Sequence, residues 1–410
     1  MNIAGIVVEY NPFHNGHYWH AKETRRLCNA DVVIGVMSGQ FVQRGEAAFF
    51  DKWTRAQMAV SSGVDVVFEL PTAYAIRSAQ FFATGAVQLL ASLGAVSHLC
   101  FGAETPEVEL LRTAARLADS SAAIAALHAE MKKGHSYARS LGDALQCEES
   151  NPLAYHPNNI LGIEYIRAIE RFAPSILPLA IQRKMAAYHE TSLKGHYASA
   201  TAIRLAIRNN ASIEKAMPSS LLSLIEAQRN LGKGPVFQET FTPMLLCLLR
   251  QQSCAQLKRC LLGSADGLEY RLKQAATSAT DWKSLVDGCM TKRYTRGRLQ
   301  RALLWILLGV EAELLTQADQ YGPQYARLLA FNDTGREALK LLQKTSSIPI
   351  IDRPANWLKK TAQKYEPTAL RDKMLLLDAK ASDIYVLGMP KEKWHMGGCD
   401  FKQSPIYHRM

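Results

Sequence analysis

Residues 5–20 read GIVVEYNPFHNGHYWH, and this stretch decides the fold. Ile6, Val7 and Val8 form a short β-branched run of the kind that fills a buried strand, and the run stops at Glu9 and Tyr10. Asn11–Pro12–Phe13 marks a turn, because proline disfavours helix at the residue before it. His14, Asn15, Gly16 and His17 then open a helix that Tyr18, Trp19 and His20 continue. A helix start presents unpaired N–H groups and a positive dipole end to an anion. Gly16 removes a side chain where backbone and ligand must approach. Imidazoles at His14 and His17, one helical turn apart, can donate to the same phosphate. Attack on the α-phosphorus of a nucleoside triphosphate spreads charge over oxygens that such donors stabilise, each by roughly 3 kcal/mol. The expected chemistry is nucleotidylyl transfer, with His14 and His17 catalytic and no protein nucleophile.

Outward from this segment the chain keeps a steady rhythm. Apolar, β-branched runs at Ile3–Val8, Val32–Met37, Val64–Phe68 and Val96–Phe101 alternate with helix-like stretches at Gly16–Cys28, Lys52–Ser62 and Ile76–Leu93. This is the βαβ signature, which predicts a parallel Rossmann-like sheet with ligands at the strand C-terminal ends. Helices are predicted at Val108–Ala118, Ala122–Lys133, Tyr137–Leu145 and Asn159–Phe172, with a further strand at Ile176–Ile181 and a polar loop at Tyr188–Ala198. The spacing predicts an α/β protein in three parts: a catalytic domain over 1–210, a mostly helical basic domain over 211–344, and a small mixed segment over 345–410. The last part contains a short apolar run at Ile384–Leu387.

Composition narrows the setting. No uncharged apolar run reaches the length of a membrane span, and Met1–Glu9 lacks the basic start of a signal peptide, so a cytoplasmic protein without a membrane role is expected. The eight cysteines include no CxxC pair and no zinc spacing, so no protein-bound metal is expected. The 48 Lys and Arg exceed the 37 Asp and Glu by 11, a surplus that favours a polyanionic partner or serves solubility.

A second element lies at residues 199–204, SATAIR, at a helix start after the last predicted strand. Ser199 and Thr201 can cap that helix.

The HxGH and SATAIR elements resemble the nucleotidylyltransferase superfamily. Over essentially the whole chain the sequence is similar to the bacterial tRNA(Met) cytidine acetate ligase family, through GIVVEYNPFHNGH, VMSGQFVQRGEAAFFDKWTRAQMA, FGAE at 101–104, PNNILGIEYI at 157–166, SATAIR, TKRYTRGRLQRALL at 291–304 and ASDIYVLG at 381–388. The resemblance implies acetate activation by ATP, then acetyl transfer to N4 of the wobble cytidine of elongator tRNA(Met); no stable protein partner is inferred. It implies an ATP site at Val7, Val8, Glu9, Tyr10, Asn11, Pro12, Phe13, His14, Asn15, Gly16, His17, Tyr18, Trp19 and His20. Gly102, Arg183 and one of Asn158 and Asn159 join it, while Ser199, Thr201 and Arg204 take the outer phosphates. Counting does not decide between the asparagines. Mg2+ is expected on the triphosphate, although the sequence shows no carboxylate cage for it. Many superfamily relatives carry Asp where Asn11 stands, a departure that the ligase family accommodates.

Two further readings concern substrates. The loop Ser38–Asp51 holds Gln43, Arg44, Glu46 and Asp51, followed by Lys52, at the ligand edge of the sheet. The loop is either solvated or a binding site for acetate and cytosine, and on the second reading Asp51 and Lys52 are candidate catalytic residues, with a carboxylate receiving the N4 proton. Lys292, Arg293, Arg296, Arg298 and Arg301 cluster around Tyr294, preceded by Arg250, Lys258, Arg259, Arg271 and Lys273. Such residues neutralise phosphates, and an aromatic can stack on an unpaired base, so this segment is the candidate tRNA-binding surface. Two alternatives keep the fold or the basic face: a small-molecule adenylyltransferase and a non-catalytic RNA-binding protein. A class I synthetase is disfavoured, since Lys184–Met185 is a meagre match to KMSKS.

Overall fold

Eight strands form one twisted sheet in this computed structural model, which describes residues 1–133, 135, 137–145, 153, 156–183, 197–261, 267–358 and 367–409. The strands are β1 (Ile3–Val8), β2 (Val32–Ser38), β5 (Val66–Leu70), β6 (Val96–Ala103), β7 (Leu177–Gln182), β8 (Ala326–Asn332), β9 (Ile350–Ile351) and β10 (Ile406–His408). Between β2 and β5, β3 (Phe41–Val42) and β4 (Glu46–Ala47) make a separate small antiparallel hairpin. The main order is β10-β8-β5-β2-β1-β6-β7, with β9 on β8. The expected run of parallel strands is present from β5 to β7.

Residue alternation decides which face each side chain covers. Ile3, Val32, Ile34 and Val36 enter one apolar core, whereas Ala4, Ile6, Val8 and Val33 enter the other. Helices Ala79–Ser92 and Pro157–Phe172 cover the first face. Ala21, Met58 and Ile203, from helices Asn15–Leu27, Lys52–Val60 and Ala200–Arg208, fill the second. Both faces are buried, so strand segments of near-continuous apolar character are stable there.

The chain leaves β1 toward β2 and β5, and later returns to the other side of β1 with β6 and β7. The order therefore reverses at β1, and the crevice at that point is where open α/β sheets bind ligands. Residues 14–17 open the helix that follows β1 across the turn at 9–13.

The latter part of the chain departs from expectation. ARLLAFN at 326–332 lies in a stretch that reads as helical, yet it is β8, antiparallel to β5 and buried. The run Ile384–Leu387 closes the helix Leu370–Tyr385 and continues into a single turn. Strands from residues beyond 211 and beyond 345 thus extend the N-terminal sheet, as β8, β9 and β10. Lys184, Met185 and the loop positions up to 196 lie outside the described residues.

Candidate active site

A cleft of about 910 Å3 opens at the C-terminal ends of β1 and β6. Its walls come from the β1–helix crossing, the β3–β4 hairpin, the start of Pro157–Phe172, the end of β7, the start of Ala200–Arg208 and the helix Arg296–Leu308. Its volume matches that of pockets for nucleotide-sized ligands.

The crossing is tightly specified. Tyr10 adopts a left-handed φ of 48°, and its ring packs 4.6 Å from Phe13 and 4.9 Å from His17. Such a φ in a bulky residue is sustained only where packing fixes it. Asn11 Oδ1 accepts from Phe49 N–H at 2.7 Å. That contact requires only an oxygen, which an amide supplies as well as a carboxylate does. Asn15 turns its amide to Lys215 O at 2.8 Å.

His14 is the N-cap of Asn15–Leu27, and its Nδ1 accepts from Gly16 N–H at 3.1 Å. His17 Nδ1 accepts from His14 N–H at 3.3 Å, and the two rings stack with centroids 3.7 Å apart. With Nδ1 accepting, each neutral ring carries its proton on Nε2 and is a donor there. Burial, reinforced by Arg183, pushes the His14 pKa down to about 3. Burial together with His14, His20 and Arg183 lowers that of His17, and burial takes His20 to about 4. The pair therefore presents neutral, preorganised Nε2–H donors at neutral pH.

The cationic side of the cleft is Arg44, Arg183 and Arg204. Arg183 follows β7 and donates to Asn158 Oδ1, whose amide donates to Glu104 at 2.5 Å. Of the two candidate asparagines, Asn158 lines the cleft. Asn159 is fully buried and clasps Thr105, accepting from its N–H at 3.0 Å and donating to its hydroxyl at 3.1 Å. Gly102 also lines the cleft, and a Cβ there would press on Arg183 Cγ at 3.3 Å. Arg204 donates to Asn11 O at 2.8 Å and to Thr201 Oγ1 at 3.3 Å, and lies 3.8 Å from Glu46. Ser199 caps its helix through Ala202 N–H at 3.0 Å while also lining the cleft, so the cap and the cleft-lining position coincide. Burial, then repulsion from Arg44, lowers the pKa of Arg204, as expected of cations gathered where an anion is meant to sit.

Not every expected residue comes to the cleft. Pro12, Phe13, Asn15 and Tyr18 do not line it; Phe13 is fully buried in the core and Tyr18 is exposed. Asp51 and Lys52 also lie away from the lining. Asp51 caps Lys52–Val60 through Thr54 N–H at 2.8 Å. Lys52 is fully buried, with Nζ 2.8 Å from both Glu69 and Asp400. Burial alone would lower its pKa, but Asp400 and Glu69 outweigh that and hold it raised and charged. A loop sequence gives no sign that its last residues turn inward. Val42, Gln43, Arg44 and Glu46 from the same loop do face the cleft.

The basic segment divides too. Arg293, Arg298 and Arg301 line the cleft, whereas Lys292 is exposed and Arg296 pairs with Asp287 at 2.6 Å. Burial, then Arg298, lowers the Arg301 pKa to about 10. Tyr294 is buried with Arg293 and Arg298 over its ring at 5.9 and 5.3 Å, so it anchors the arginines instead of offering a face to a base. Sequence reasoning missed Arg77, Phe81 and Trp305, which also line the cleft. Arg77 is gripped by Asp319 and lies 3.6 Å over the Phe81 ring, and Trp305 donates to Ile76 O at 3.1 Å. Ser78, at the N-cap position of Ala79–Ser92, splits the helix expected from Ile76 and was a signal for Arg77 and Phe81, whereas Trp305 had none.

A strand–turn–HxGH–helix at the switch point of a parallel sheet, with arginines facing the histidines, defines a nucleotidylyl transferase of the HIGH class. The family model described as HIGH Nucleotidyl Transferase matches residues 1–398. The tRNA(Met) cytidine acetate ligase of Acetivibrio thermocellus is 36% identical over 420 residues, covering 99% of this chain and all of its own. That of Alkaliphilus metalliredigens is 36% identical over 429 residues, covering 100% of this chain and 99% of its own. The crystal structure of apo Thermotoga maritima TmcAL superposes with a TM-score of 0.92 at 34% identity, and the form bound with α-thio ATP with 0.90 at 33%, each over the full length of both chains. The chain belongs to the tRNA(Met) cytidine acetate ligase family.

Proposed function

We propose that this protein joins acetate to N4 of the wobble cytidine of elongator tRNA(Met) in the cytoplasm, at the expense of ATP. The observation that carries this reading is a cleft lined both by the HxGH histidines and by three arginines of the basic segment, Arg293, Arg298 and Arg301. Arginines from the basic segment in the same cleft favour a polyanionic acceptor over a small neutral one.

The residues support a two-step course. ATP enters with its α-phosphate at the His14 and His17 Nε2–H donors, and Ser199, Thr201, Arg183 and Arg204 take the outer phosphates. An acetate oxygen attacks the α-phosphorus in line, the bond to the bridging oxygen breaks, and pyrophosphate leaves with the electron pair. Charge grows on the non-bridging oxygens during this step, where fixed, preorganised donors act most strongly. The cytidine amine then attacks the activated acetyl carbonyl, and AMP departs. Acetate is a weak acyl donor until adenylation supplies this leaving group.

Mg2+ would ride on the triphosphate. The carboxylates lining the cleft among the described residues are Glu9 and Glu46, and Glu46 is already drawn to Arg204 at 3.8 Å. They form no cage for a protein-held ion, and no step is routed through one.

The test is incubation with ATP, acetate and purified elongator tRNA(Met), digestion to nucleosides and mass analysis. N4-acetylcytidine that requires all three is the expected result. An unmodified tRNA beside an active ATPase would refute the reading.

A further inference from the structure

The transfer step of the proposed reaction needs a proton acceptor, and Asp51 is committed elsewhere. As the exocyclic nitrogen bonds to the acetyl carbon, the carbon–oxygen bond to phosphate breaks and AMP takes that electron pair. The nitrogen is left with a surplus proton. Something in the cleft must receive it.

The cleft's titratable groups can be taken in turn. His14 and His17 accept backbone N–H groups at Nδ1, so their cleft-facing Nε2 atoms carry hydrogen and donate. Glu46 lies against Arg204 at 3.8 Å. His135 is tied to Glu130 at 2.9 Å, and His128 stands exposed at the rim. His20 has a buried Nε2 without a partner, yet burial takes its pKa to about 4, so it binds a proton weakly.

Glu9 remains. It sits one residue past β1, on the same crossing that supplies the histidines, and lines the cleft. Its Oε1 accepts from Gln43 N–H at 2.7 Å and from Ser38 Oγ at 3.3 Å. Those two bonds lock the carboxylate plane and use one oxygen only. Gln43, Arg44 and Glu46 face it from the hairpin, Arg55 from the helix Lys52–Val60, Tyr165 from Pro157–Phe172 and Arg204 from Ala200–Arg208. Burial raises its pKa above the ordinary carboxylate range despite the Gln43 bond and the arginines, which makes it a better base than an exposed glutamate.

We propose that Glu9 is the general base of acetyl transfer, its Oε2 receiving the proton of the attacking exocyclic amine before releasing it to solvent. The proposal rests on the two-step reading above. It also replaces Asp51 as the carboxylate that the Ser38–Asp51 loop was expected to supply, since that loop instead holds Glu9 in place through Ser38 and Gln43.

The experiment is single-turnover acetyl transfer to tRNA across pH 5–9, run beside ATP–pyrophosphate exchange. Wild-type protein comes first: its failure to acetylate tRNA defeats the functional reading itself. With wild type active, Glu9→Gln should lower transfer by about 10²–10⁴-fold and flatten the acidic limb of its pH profile, with a far smaller loss of exchange. Glu9→Asp should recover part of the rate and keep the limb. The proposal is overturned if Glu9→Gln transfers with the wild-type profile. It is also overturned if exchange and transfer fall equally, if the variant instead needs more Mg2+ for exchange, or if His20→Asn removes the acidic limb.

Discussion

A Cβ placed on Gly45 would come within 2.5 Å of the backbone nitrogen of Arg301. Gly45 also holds a left-handed φ of 78°, so the tip of the β3–β4 hairpin packs directly against the helix that carries Arg298 and Arg301. The two walls of the cleft meet at this contact.

Gly45→Ala is therefore expected to cost at least about 1–2 kcal/mol from backbone conformation alone, with the steric clash adding to it. A melt would show the drop in Tm, and tRNA affinity should fall with it as the arginine wall shifts. Unchanged values for both would mean that the hairpin and helix move independently.

Removing a donor from the histidine pair should act on adenylate formation. His17→Ala is expected to lower acetate-dependent pyrophosphate release by about 10²–10³-fold while ATP still binds. Equal losses in binding and turnover would place the imidazole in ground-state recognition only.

The same histidines give a pH signature. Their folded pKa values lie below the unfolded value of about 6.5, so the unfolded chain binds more protons as pH falls through that range. Stability contributed by the neutral rings is complete above pH 6.5 and is lost progressively toward pH 3. Tm should decline across that window, and less steeply in His20→Asn, where one of the titrating groups is gone. Equal slopes would show that carboxylates govern the acid limb.

Lys52→Ala should unfold the protein rather than disable a site. Removing the ammonium leaves Glu69 and Asp400 buried without their counter-ion, a loss of about 3–5 kcal/mol. A folded variant of normal Tm that fails only in acetyl transfer would restore Lys52 as a catalytic group.

The arginines of the basic segment should separate by position. Arg293 lines the cleft, so Arg293→Ala should weaken tRNA binding, lower the salt slope by about one, and spare ATP binding. Arg296 already answers Asp287 at 2.6 Å, so its replacement should matter less. Reversed effects, read from filter binding at several salt concentrations, would move the RNA path to the outer face.

The parallel sheet was legible because β1, β2 and β5 carry β-branched runs bounded by turn residues, and because HxGH follows the first of them. β8 was not, since ARLLAFN has helix-forming residues and becomes a strand only through pairing with β5. The histidines and SATAIR could be placed from local capping physics, and Ser199 fulfils that role in the structure. Asp51 and Lys52 misled, because sequence places a loop at the ligand edge but does not say which of its side chains turn into the core. Asn158 and Asn159 could be told apart only by the contacts of Glu104, Thr105 and Arg183, which lie far away in the chain.

The most direct test of the account is pyrophosphate release from ATP, measured alone, with acetate, and with acetate and tRNA together. Release should be slow with ATP alone, rise on adding acetate, and rise further with tRNA as the acetyl group passes into RNA. Release that ignores acetate, or that tRNA leaves untouched, would contradict it.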